Sequence, residues 1–367
     1  MGEEYKKTCL HASHVALGAQ MSPFAGFDMP IQYKGITEEH IAVRSKVGMF
    51  DVSHMGEIFV SGPDAERYVN HIFTNDVRGY GAGKILYGMM LYPNGGVVDD
   101  LLVYREFEPD HFLLVVNAAN IDKDYEWMLQ HREGFNVTVD NASDKWGQIA
   151  VQGPDSEKIV TEVLGLGKAS SLTFYEYVET EWNGHRMILS RTGYTGEDGF
   201  ELYATTGDTQ EIWDILLKAG VEPCGLGCRD TLRFEAGLPL YGDELSADIT
   251  PIEAGLGMFC KLDKDEFIGK EALVAQKTSG PSRKLVGIEI ADRAIPRHGY
   301  PVELEDGTQV GEVTTGYHSI SLDKSICMAY IDAVYSALGT ALWIHIRKKT
   351  FPGQVVKKRF YQTNYKK

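Results

Sequence analysis

Two adjacent carboxylates, Asp99 and Asp100, interrupt an apolar and partly β-branched segment that runs from Val97 to Tyr104. Because side chains alternate along a strand, these two point to opposite faces and cannot form a paired-carboxylate dyad. An ionised acid among apolar neighbours is costly unless it is hydrogen-bonded, ion-paired or bound to a ligand. Either each carboxylate bonds backbone amides or a buried arginine, or one of them belongs to a binding site.

Polar side chains on both sides of this segment add to the candidate site. Tyr87 and Tyr92 precede it, and Asn117 follows the next apolar segment, Phe112–Val116. Asn117 either orients a ligand amide or caps the helix that follows. Capping is the more common role of asparagine at such a position.

The segment Asp51-Val52-Ser53-His54 places an acid, a serine and a histidine close together in sequence. These are the residue types of a hydrolytic triad, but triads are assembled in space rather than along the chain. No Gly-x-Ser-x-Gly turn occurs in the sequence. The segment alone gives little support to a hydrolase.

A glycine-rich loop around Tyr194 leads into the segment Phe200–Leu202, in which Glu201 points away from its two apolar neighbours. A carboxylate fixed on a strand can accept two parallel hydrogen bonds from a ligand with adjacent N–H donors, such as a 2-amino-4-oxo-pteridine ring. The loop lacks the Gly-x-Gly turn at a helix start that a dinucleotide site needs. The alternative is a solvent-facing Glu201 on a half-buried strand.

Arg229 follows the glycine-rich segment Gly225–Gly227 and precedes Arg233 by four residues, so that a helix would carry both arginines on one face. A glycine-rich helix start with an arginine is typical of a carboxylate-binding site. The alternative is an Arg–Asp ion pair within the protein, for which Asp99 and Asp100 are two candidate acids.

Short β-like segments outnumber helical ones and alternate with them in an order typical of α+β modules with antiparallel sheets. After Gln276 the composition changes. Thr278–Ser282 has the residues of a linker, and Asp306-Gly307 is a hairpin signal in a part of the chain that is nearly all strand and turn. We predict two interleaved α+β subdomains in residues 1–277 and a small β-barrel or jelly-roll domain in residues 278–367.

The chain of 367 residues has a formal net charge of −16, but its last 21 residues hold eight basic residues and no acidic one. An acidic body repels nucleic acid, which we exclude as a partner. The basic end either meets an acidic partner or a polyanion, or only adds solubility. No apolar segment reaches membrane-spanning length, and Met1–Lys7 lacks the apolar part of a secretory signal.

The five cysteines are scattered, odd in number and without a Cys-x-x-Cys pair. Cys224 and Cys228 lie four residues apart, but no nearby pair of histidines or cysteines completes four ligands. We therefore predict free thiols in a reducing compartment and no structural metal site.

Taken together, these segments resemble the aminomethyltransferase of the glycine cleavage system, the T-protein family. The similarity covers nearly the whole chain, with many long motifs in order. They are Phe24-Ala25-Gly26-Phe27-Asp28-Met29-Pro30, Phe50-Asp51-Val52-Ser53-His54-Met55, Asp99-Asp100, Arg191-Thr192-Gly193-Tyr194-Thr195-Gly196-Glu197, Gly225-Leu226-Gly227-Cys228-Arg229-Asp230 and Thr363-Asn364-Tyr365.

The resemblance implies a three-domain cloverleaf around a central folate pocket. It implies an enzyme of glycine degradation that transfers the methylene carbon of an aminomethyl group, carried on lipoylated H-protein, to tetrahydrofolate. The implied products are 5,10-methylenetetrahydrofolate, ammonia and dihydrolipoyl H-protein. Tetrahydrofolate is the implied co-substrate, H-protein the implied partner, and no metal is implied. We expect a cytoplasmic location in a bacterium and the mitochondrial matrix in a eukaryote.

On matching positions, the resemblance implies Asp100 as the catalytic carboxylate that orients and polarises the folate near N5 and N10. The implied folate-binding residues are Tyr87, Asn117, Tyr194, Glu201, Arg229 and Tyr365, with Glu201 holding the pterin. The segment Thr315–Ser321 departs from the family, which usually has a Ser/Thr-x-Phe-Ser-Pro-like turn there. We expect the lipoyl entrance to differ accordingly.

Two other functions use a similar folate site. A folate-dependent demethylase often comes fused to an oxidoreductase domain, which this sequence does not contain. A non-catalytic folate-binding protein of iron–sulfur assembly typically carries Lys-Gly-Cys-Tyr-x-Gly-Gln-Glu. Gly225-Leu226-Gly227-Cys228-Arg229-Asp230 stands in the aligned region and disfavours that function.

Overall fold

The computed structural model describes residues 5 to 366. Residues 1–4 and Lys367 lie outside the described residues. They include most of the Met1–Lys7 segment, which was predicted to lack a secretory signal, and the last residue of the basic end. The helices are α1 (His11–Ala16), α2 (Ile36–Ser45), α3 (Ala65–Ile72), α4 (Ile121–Gln130), α5 (Ser156–Lys158, continued by a π-helical turn, Ile159–Val163), α6 (Thr206–Lys218), α7 (Leu226–Glu235) and α8 (Lys270–Ser279).

The strands fall into three groups along the chain. The first are β1 (Gln20–Phe24), β2 (Phe27–Gln32), β3 (Gly48–Asp51), β4 (Gly56–Ser61), β5 (Ile85–Leu91), β6 (Val97–Arg105), β7 (His111–Val116) and β8 (Thr138–Asn141). The second are β9 (Trp146–Gln152), β10 (Tyr177–Trp182), β11 (His185–Ser190), β12 (Gly199–Thr205) and β13 (Glu222–Pro223). The third are β14 (Arg283–Ile290), β15 (Pro301–Glu303), β16 (Gln309–His318), β17 (Ser325–Asp332), β18 (Ala341–Ile346) and β19 (Lys349–Val356).

The first large sheet has the order β5-β6-β7-β4-β8, and all of its neighbouring strands are antiparallel. One face packs against α3 and α4, where Leu101 and Val103 of β6 join a buried cluster with Tyr68 and Trp127. The alternate residue Leu102 belongs to a different cluster on the other face. Asp99 therefore lies on the helix side of β6 and Asp100 on the opposite side.

The second large sheet has the order β10-β11-β12-β9-β3-β13. It is antiparallel except between β3 and the two-residue β13, which pair in parallel, a departure from the predicted all-antiparallel sheets. Trp213 of α6 packs on one face with Ile149, Phe200 and Leu202. Glu201 alternates with Phe200 and Leu202, and so lies on the other face.

The two sheets meet through the faces that their helices leave free. Tyr104 of β6 and Tyr203 of β12 are both buried, and their hydroxyl oxygens lie 2.9 Å apart. These tyrosines share a buried cluster with Val115 and Ile188. Asp100 and Glu201 are thereby turned toward the space between the two sheets.

The third unit is a closed barrel, β14-β17-β16-β15-β18-β19, in which β14 pairs with both β17 and β19. Its interior holds apolar side chains such as Ile288, Ala329 and Ile344. The predicted Asp306-Gly307 hairpin is confirmed, since β15 and β16 pair across it and Gly307 has a φ of +84°. The predicted α+β fold with a C-terminal barrel is thus confirmed. Helix α8 extends to Ser279, so the linker before the barrel is shorter than predicted.

The concentration of charge in the last 21 residues suggested a free basic tail. In the structure this segment is packed against the rest of the protein. Lys349 begins a barrel strand, and the half-buried Lys358 donates to the carbonyl oxygen of Ala254. Beyond the barrel the chain returns to the second sheet: Asn364 N–H donates to Gly196 O (2.9 Å), and Phe174 N–H donates to Lys366 O (3.0 Å). Within residues 5 to 366, no helix combines the length and apolarity needed to cross a bilayer.

Candidate active site

A cavity of about 630 Å³ lies between the free faces of the two sheets, with further walls from the start of α7 and the segment after the barrel. The structure brings every predicted site residue to this cavity. They are Tyr87, Asp100, Asn117, Tyr194, Glu201, Arg229 and Tyr365.

Asp100 is held by two donors, one at each carboxylate oxygen. The Tyr87 hydroxyl, on the neighbouring strand β5, donates to Oδ2 (2.9 Å), and the Asn117 side-chain amide donates to Oδ1 (2.9 Å). Burial and the charge of Asp100 raise the pKa of Tyr87, so this tyrosine remains a donor. The carboxylate is fixed in orientation and retains lone pairs for a ligand.

Asp99, on the opposite face, is completely buried. It accepts hydrogen bonds from the main-chain N–H of Asn117 (2.9 Å), from the Asn117 side chain (2.8 Å) and from the Asn120 side chain (2.6 Å). The prediction that Asn117 caps a helix is wrong, because its side chain makes no capping bond and donates to the two aspartates instead. The two carboxylates thus face opposite sides of the strand yet share one donor group.

The environment of Asp100 disfavours its charged form. Burial and the nearby charge of Asp99 raise the pKa of Asp100, while the hydrogen bonds from Tyr87 and Asn117 act in the other direction. A carboxyl group whose pKa is moved toward neutrality can exchange protons with a bound ligand.

Glu201 is buried in the cavity wall, only 6% exposed, so the solvent-facing alternative is wrong. Thr192 Oγ1 donates to Oε2 (2.5 Å) and Gln148 Nε2 donates to Oε1 (3.2 Å). Burial raises the pKa of Glu201. Each oxygen keeps one lone pair, so the carboxylate can accept two more N–H donors side by side.

Arg229 lies in the first turn of α7, which begins at Leu226. Its Nη1 is buried without a hydrogen-bond partner, and its guanidinium carbon lies 4.8 Å from the ring centre of Tyr194. Burial lowers the pKa of Arg229, and the charge of Glu201 opposes that effect. Arg229 forms no ion pair with Asp99 or Asp100. Arg233, by contrast, does pair with an aspartate, Asp230 (2.7 Å), and also with Glu244 (2.7 Å).

Tyr365 reaches the cavity on the segment that follows the barrel. Its ring stacks on Phe174 with a centroid distance of 4.0 Å and an angle of 14° between planes. The residues on either side of it, Asn364 and Lys366, form hydrogen bonds with loops next to the second sheet and hold the segment there. Tyr365 is thus held on the wall by contacts between distant parts of the chain.

Sequence reasoning missed several polar residues of the cavity, among them His54 and Gln148. His54 Nδ1 and Gln148 Oε1 are buried without hydrogen-bond partners, as is Arg229 Nη1. Burial lowers the pKa of His54 to about 4, so its imidazole is uncharged at neutral pH. The alternation of polar and apolar residues in β9 could have indicated Gln148, whereas His54 was considered only as part of a triad.

No Ser-His-Asp triad forms from the segment 51–54. Asp51 Oδ2 lies 2.9 Å from His14 Nε2 and accepts a bond from Thr8 (2.6 Å). Ser53 Oγ donates to the main-chain oxygen of Gln148 (3.3 Å). The hydrolase interpretation therefore has no geometric support.

One group of potential metal ligands occurs in the part of the chain that the structure describes: Glu39, Cys224 and Cys228. The Glu39 carboxylate already accepts main-chain N–H groups from residues 33 to 35 and from Gly225. All five cysteines are unpaired, as predicted. The Glu39 carboxylate is thus bound to four backbone donors, and the thiols of Cys224 and Cys228 lie beside it.

Two protein-family models together match most of the chain. The family model described as "GCVT N-terminal domain" matches residues 10–264, and the "Glycine cleavage T-protein C-terminal barrel domain" matches residues 283–362. The chain belongs to the glycine cleavage T-protein family.

Similar proteins and a solved structure support the same assignment. The aminomethyltransferase of Lysinibacillus sphaericus (strain C3-41) is 49% identical over 367 residues, covering 99% of both chains. That of Alkaliphilus oremlandii is 49% identical, covering 99% of this chain and 100% of its own. The crystal structure of glycine cleavage system aminomethyltransferase T from Bartonella henselae superposes with a TM-score of 0.94 at 32% identity, covering 99% of this chain and 100% of that one. The predicted family is confirmed, and this T-protein is an aminomethyltransferase.

Proposed function

We propose that the enzyme transfers the methylene carbon of an aminomethyl group from the lipoyl arm of H-protein to tetrahydrofolate in the cavity described above. The C–S bond of the aminomethyl thioether and its C–N bond break, and two C–N bonds form at folate N5 and N10. The two protons lost from N5 and N10 leave with the dihydrolipoyl thiol and ammonia. No oxidant or reductant is needed.

The observation that carries this proposal is the pair of carboxyl groups, the half-buried Asp100 and the buried Glu201, on facing walls of one cavity. Each has its own donors and neither is paired with an arginine within 4 Å, so each keeps acceptor capacity for a ligand. A reduced pterin presents N–H donors at one edge and the reacting nitrogens at the other. Two separate acceptors therefore match the two ends of the ligand.

At the pterin end, Glu201 accepts the adjacent N–H donors of the 2-amino-4-oxo ring in a parallel pair. Tyr194 provides an aromatic surface, and the unpaired Nη1 of Arg229 is a donor for a ligand oxygen. Tyr365 and the basic residues Lys357 and Arg359 line the same cavity and suit the rest of the folate, whose tail carries carboxylates.

At the reacting end, Asp100 orients the folate near N5 and N10 and offsets positive charge that develops on these nitrogens. Its raised pKa lets it take up a proton as the second C–N bond forms. The aminomethyl thioether is already activated, so positioning, a carboxylate and the exclusion of water suffice for the protein's part.

For the partner, the structure offers a basic groove on the barrel, formed by Arg293, Arg297, Arg347, Lys348 and Lys349. Arg347 and the two lysines form no ion pair among residues 5 to 366. Ile295 and Phe351 form apolar parts of its walls. In a protein with a net charge of −16, this groove suits an acidic carrier protein such as H-protein.

The test is a turnover assay with purified, aminomethylated H-protein, run with and without tetrahydrofolate. We expect ammonia, methylenetetrahydrofolate and free dihydrolipoyl thiol in equal amounts when folate is present. Ammonia release at the same rate without folate, or no product with it, would overturn the proposal.

A further inference from the structure

Behind the reacting carboxylate lies a chain of polar groups that the reaction above does not use. It runs from Asp99 of β6 to the side chain of Asn117, and from there to Asp100. Asp99 and the nearby Asp124 of α4 are both completely buried. Buried carboxyl groups are kept only where a partner or a function compensates for the loss of solvent.

Asn117 is the link between the two aspartates. Its side-chain nitrogen lies 2.8 Å from Asp99 Oδ1, 2.9 Å from Asp100 Oδ1 and 3.1 Å from Asp100 O. Its main-chain N–H also donates to Asp99 Oδ2 (2.9 Å). An amide nitrogen carries only two protons, so the bond to Asp99 determines where the second proton points.

Asp99 in turn has the donor set of a carboxylate. It accepts the two bonds from Asn117 and one from Asn120 (2.6 Å), and Asp124 faces it from α4. Burial and the charge of Asp99 raise the pKa of Asp124 to about 11, so Asp124 is protonated at neutral pH. Neither Asp124 oxygen has a hydrogen-bond partner. The charge of Asp99 therefore faces a neutral neighbour on this side, and its hydrogen bonds come from Asn117 and Asn120.

We propose that Asp99 is a positioning residue for Asp100 and acts through the side chain of Asn117. This inference rests on the proposed function, because it gives Asp99 a part in the same reaction. By this inference Asp99 contributes to the reaction and not only to the stability of the fold. Asp99 sets the direction of the Asn117 donor, and its charge keeps the proton affinity of Asp100 high.

Other titratable groups near the two aspartates must be separated from this effect. Tyr87, Tyr175 and Tyr194 face Asp100, and all three remain protonated because burial raises their pKa values. On the other side of β6, Lys123 Nζ lies 3.6 Å from Asp124 Oδ1, and Tyr241 lies near both Asp99 and Asp124. None of these groups bonds to the Asn117 amide, which makes that amide the decisive position.

The experiment follows the carboxyl signals of ¹³C-aspartate-labelled full-length protein by NMR while the pH is varied, and assigns Asp100 by the signal lost in Asp100→Asn. In Asp99→Asn we expect the Asp100 titration midpoint to fall, because a negative charge is removed. In Asn117→Ala we expect it to rise, because a donor to the carboxylate is removed. Asp122→Asn, an exposed acid on the same helix, should leave it unchanged.

Kinetics give the second measurement. We expect Asp99→Asn to lower kcat by about tenfold or more with little change in folate affinity, because small displacements of a reacting group have effects of this size. The acid limb of its pH profile should move to lower pH. The Asp99→Asn/Asn117→Ala double variant should be no slower than Asn117→Ala alone.

Several results would overturn the inference. One is an Asp99→Asn protein that unfolds at a lower temperature but keeps the wild-type kcat and the wild-type titration midpoint of Asp100. Another is an additive loss in the double variant. The NMR titration needs no turnover. A wild-type protein without transfer activity would therefore disprove the proposed function, and an unmoved Asp100 midpoint would disprove this inference separately.

Discussion

Arg44 and Glu235 form a buried ion pair, with 3.1 Å between Nη2 and Oε2, at the junction of α2, the end of α7 and the barrel. The same Glu235 carboxylate accepts hydrogen bonds from Ser319 Oγ (2.6 Å) and from the main-chain N–H of Ser321 (3.0 Å). The turn that departs from the family pattern, Thr315–Ser321, is therefore bound to α7 by this carboxylate. Its serines connect two parts of the fold.

This junction predicts a specific acid sensitivity. Its donors, His40 among them, lower the pKa of Glu235 from an ordinary 4.5 to about 2. Stability from the ionised form is complete above the unfolded pKa and is lost as the pH falls through the folded one, between about 4.5 and 2. We expect a loss of a few kcal/mol in this range, since each pKa unit corresponds to about 1.4 kcal/mol.

Thermal unfolding measured at steps through that pH range checks this prediction. Glu235→Gln should be less stable than the wild type at neutral pH and should lose less stability on acidification. Glu271→Gln, at an exposed position on α8, should follow the wild type. Parallel curves for Glu235→Gln and the wild type would contradict the assignment.

Glu201→Ala should weaken the binding of tetrahydrofolate by about 2–4 kcal/mol, because it removes one partner of a buried, charged hydrogen-bond pair. Isothermal titration calorimetry with the reduced folate measures this loss. Glu181→Ala, an exposed acid on β10 of the same sheet, is the matched control and should bind normally. Unchanged affinity in Glu201→Ala would show that the pterin does not bind to this wall of the cavity.

Asp100→Asn keeps the size of the side chain but removes its charge and its ability to accept a proton. We expect turnover to fall by about 10²-fold or more, with folding and folate binding largely retained. Since burial raises the pKa of Asp100, wild-type activity should decline on acidification at a higher pH than an ordinary carboxyl group would give.

Steady-state kinetics over a pH series, together with thermal melts, separate these effects. Asp144→Asn, at an exposed position, should behave as the wild type. A fully active Asp100→Asn enzyme would mean that the reacting carboxylate has been assigned to the wrong residue.

Replacing Arg347, Lys348 and Lys349 by glutamine should slow association with H-protein and reduce its dependence on ionic strength, since exposed charges act mainly on the rate of encounter. The half-buried Lys358 is left out, because its ammonium group is already bonded to Ala254 O. Stopped-flow association at increasing salt measures both quantities.

The control carries Lys158→Gln and Lys168→Gln. These two lysines are exposed and lie between β9 and β10 rather than in the barrel. We expect it to associate at the wild-type rate. An identical rate and salt dependence in the groove variant would leave the basic residues with a role in solubility alone.

Much of the site could be predicted from the local sequence. The period-two alternation of β6 predicts that Asp99 and Asp100 face opposite sides, and the same rule separates Glu201 from Phe200 and Leu202. The hairpin at Asp306-Gly307 follows from the backbone freedom of glycine, which adopts φ +84° there. Alternation and turn chemistry depend on neighbours in sequence, so they are fixed before any tertiary contact forms.

The partners of those residues were decided only by the tertiary structure. Asn117 was predicted to cap a helix, yet its amide bridges Asp99 and Asp100. The basic end was predicted as a tail, yet β19 closes a barrel with β14 and Lys366 pairs with Glu157 (2.9 Å), 209 residues away in sequence. Alternation assigns a side chain to a face of its strand. What covers that face depends on segments distant in sequence, and their packing cannot be read from a local pattern.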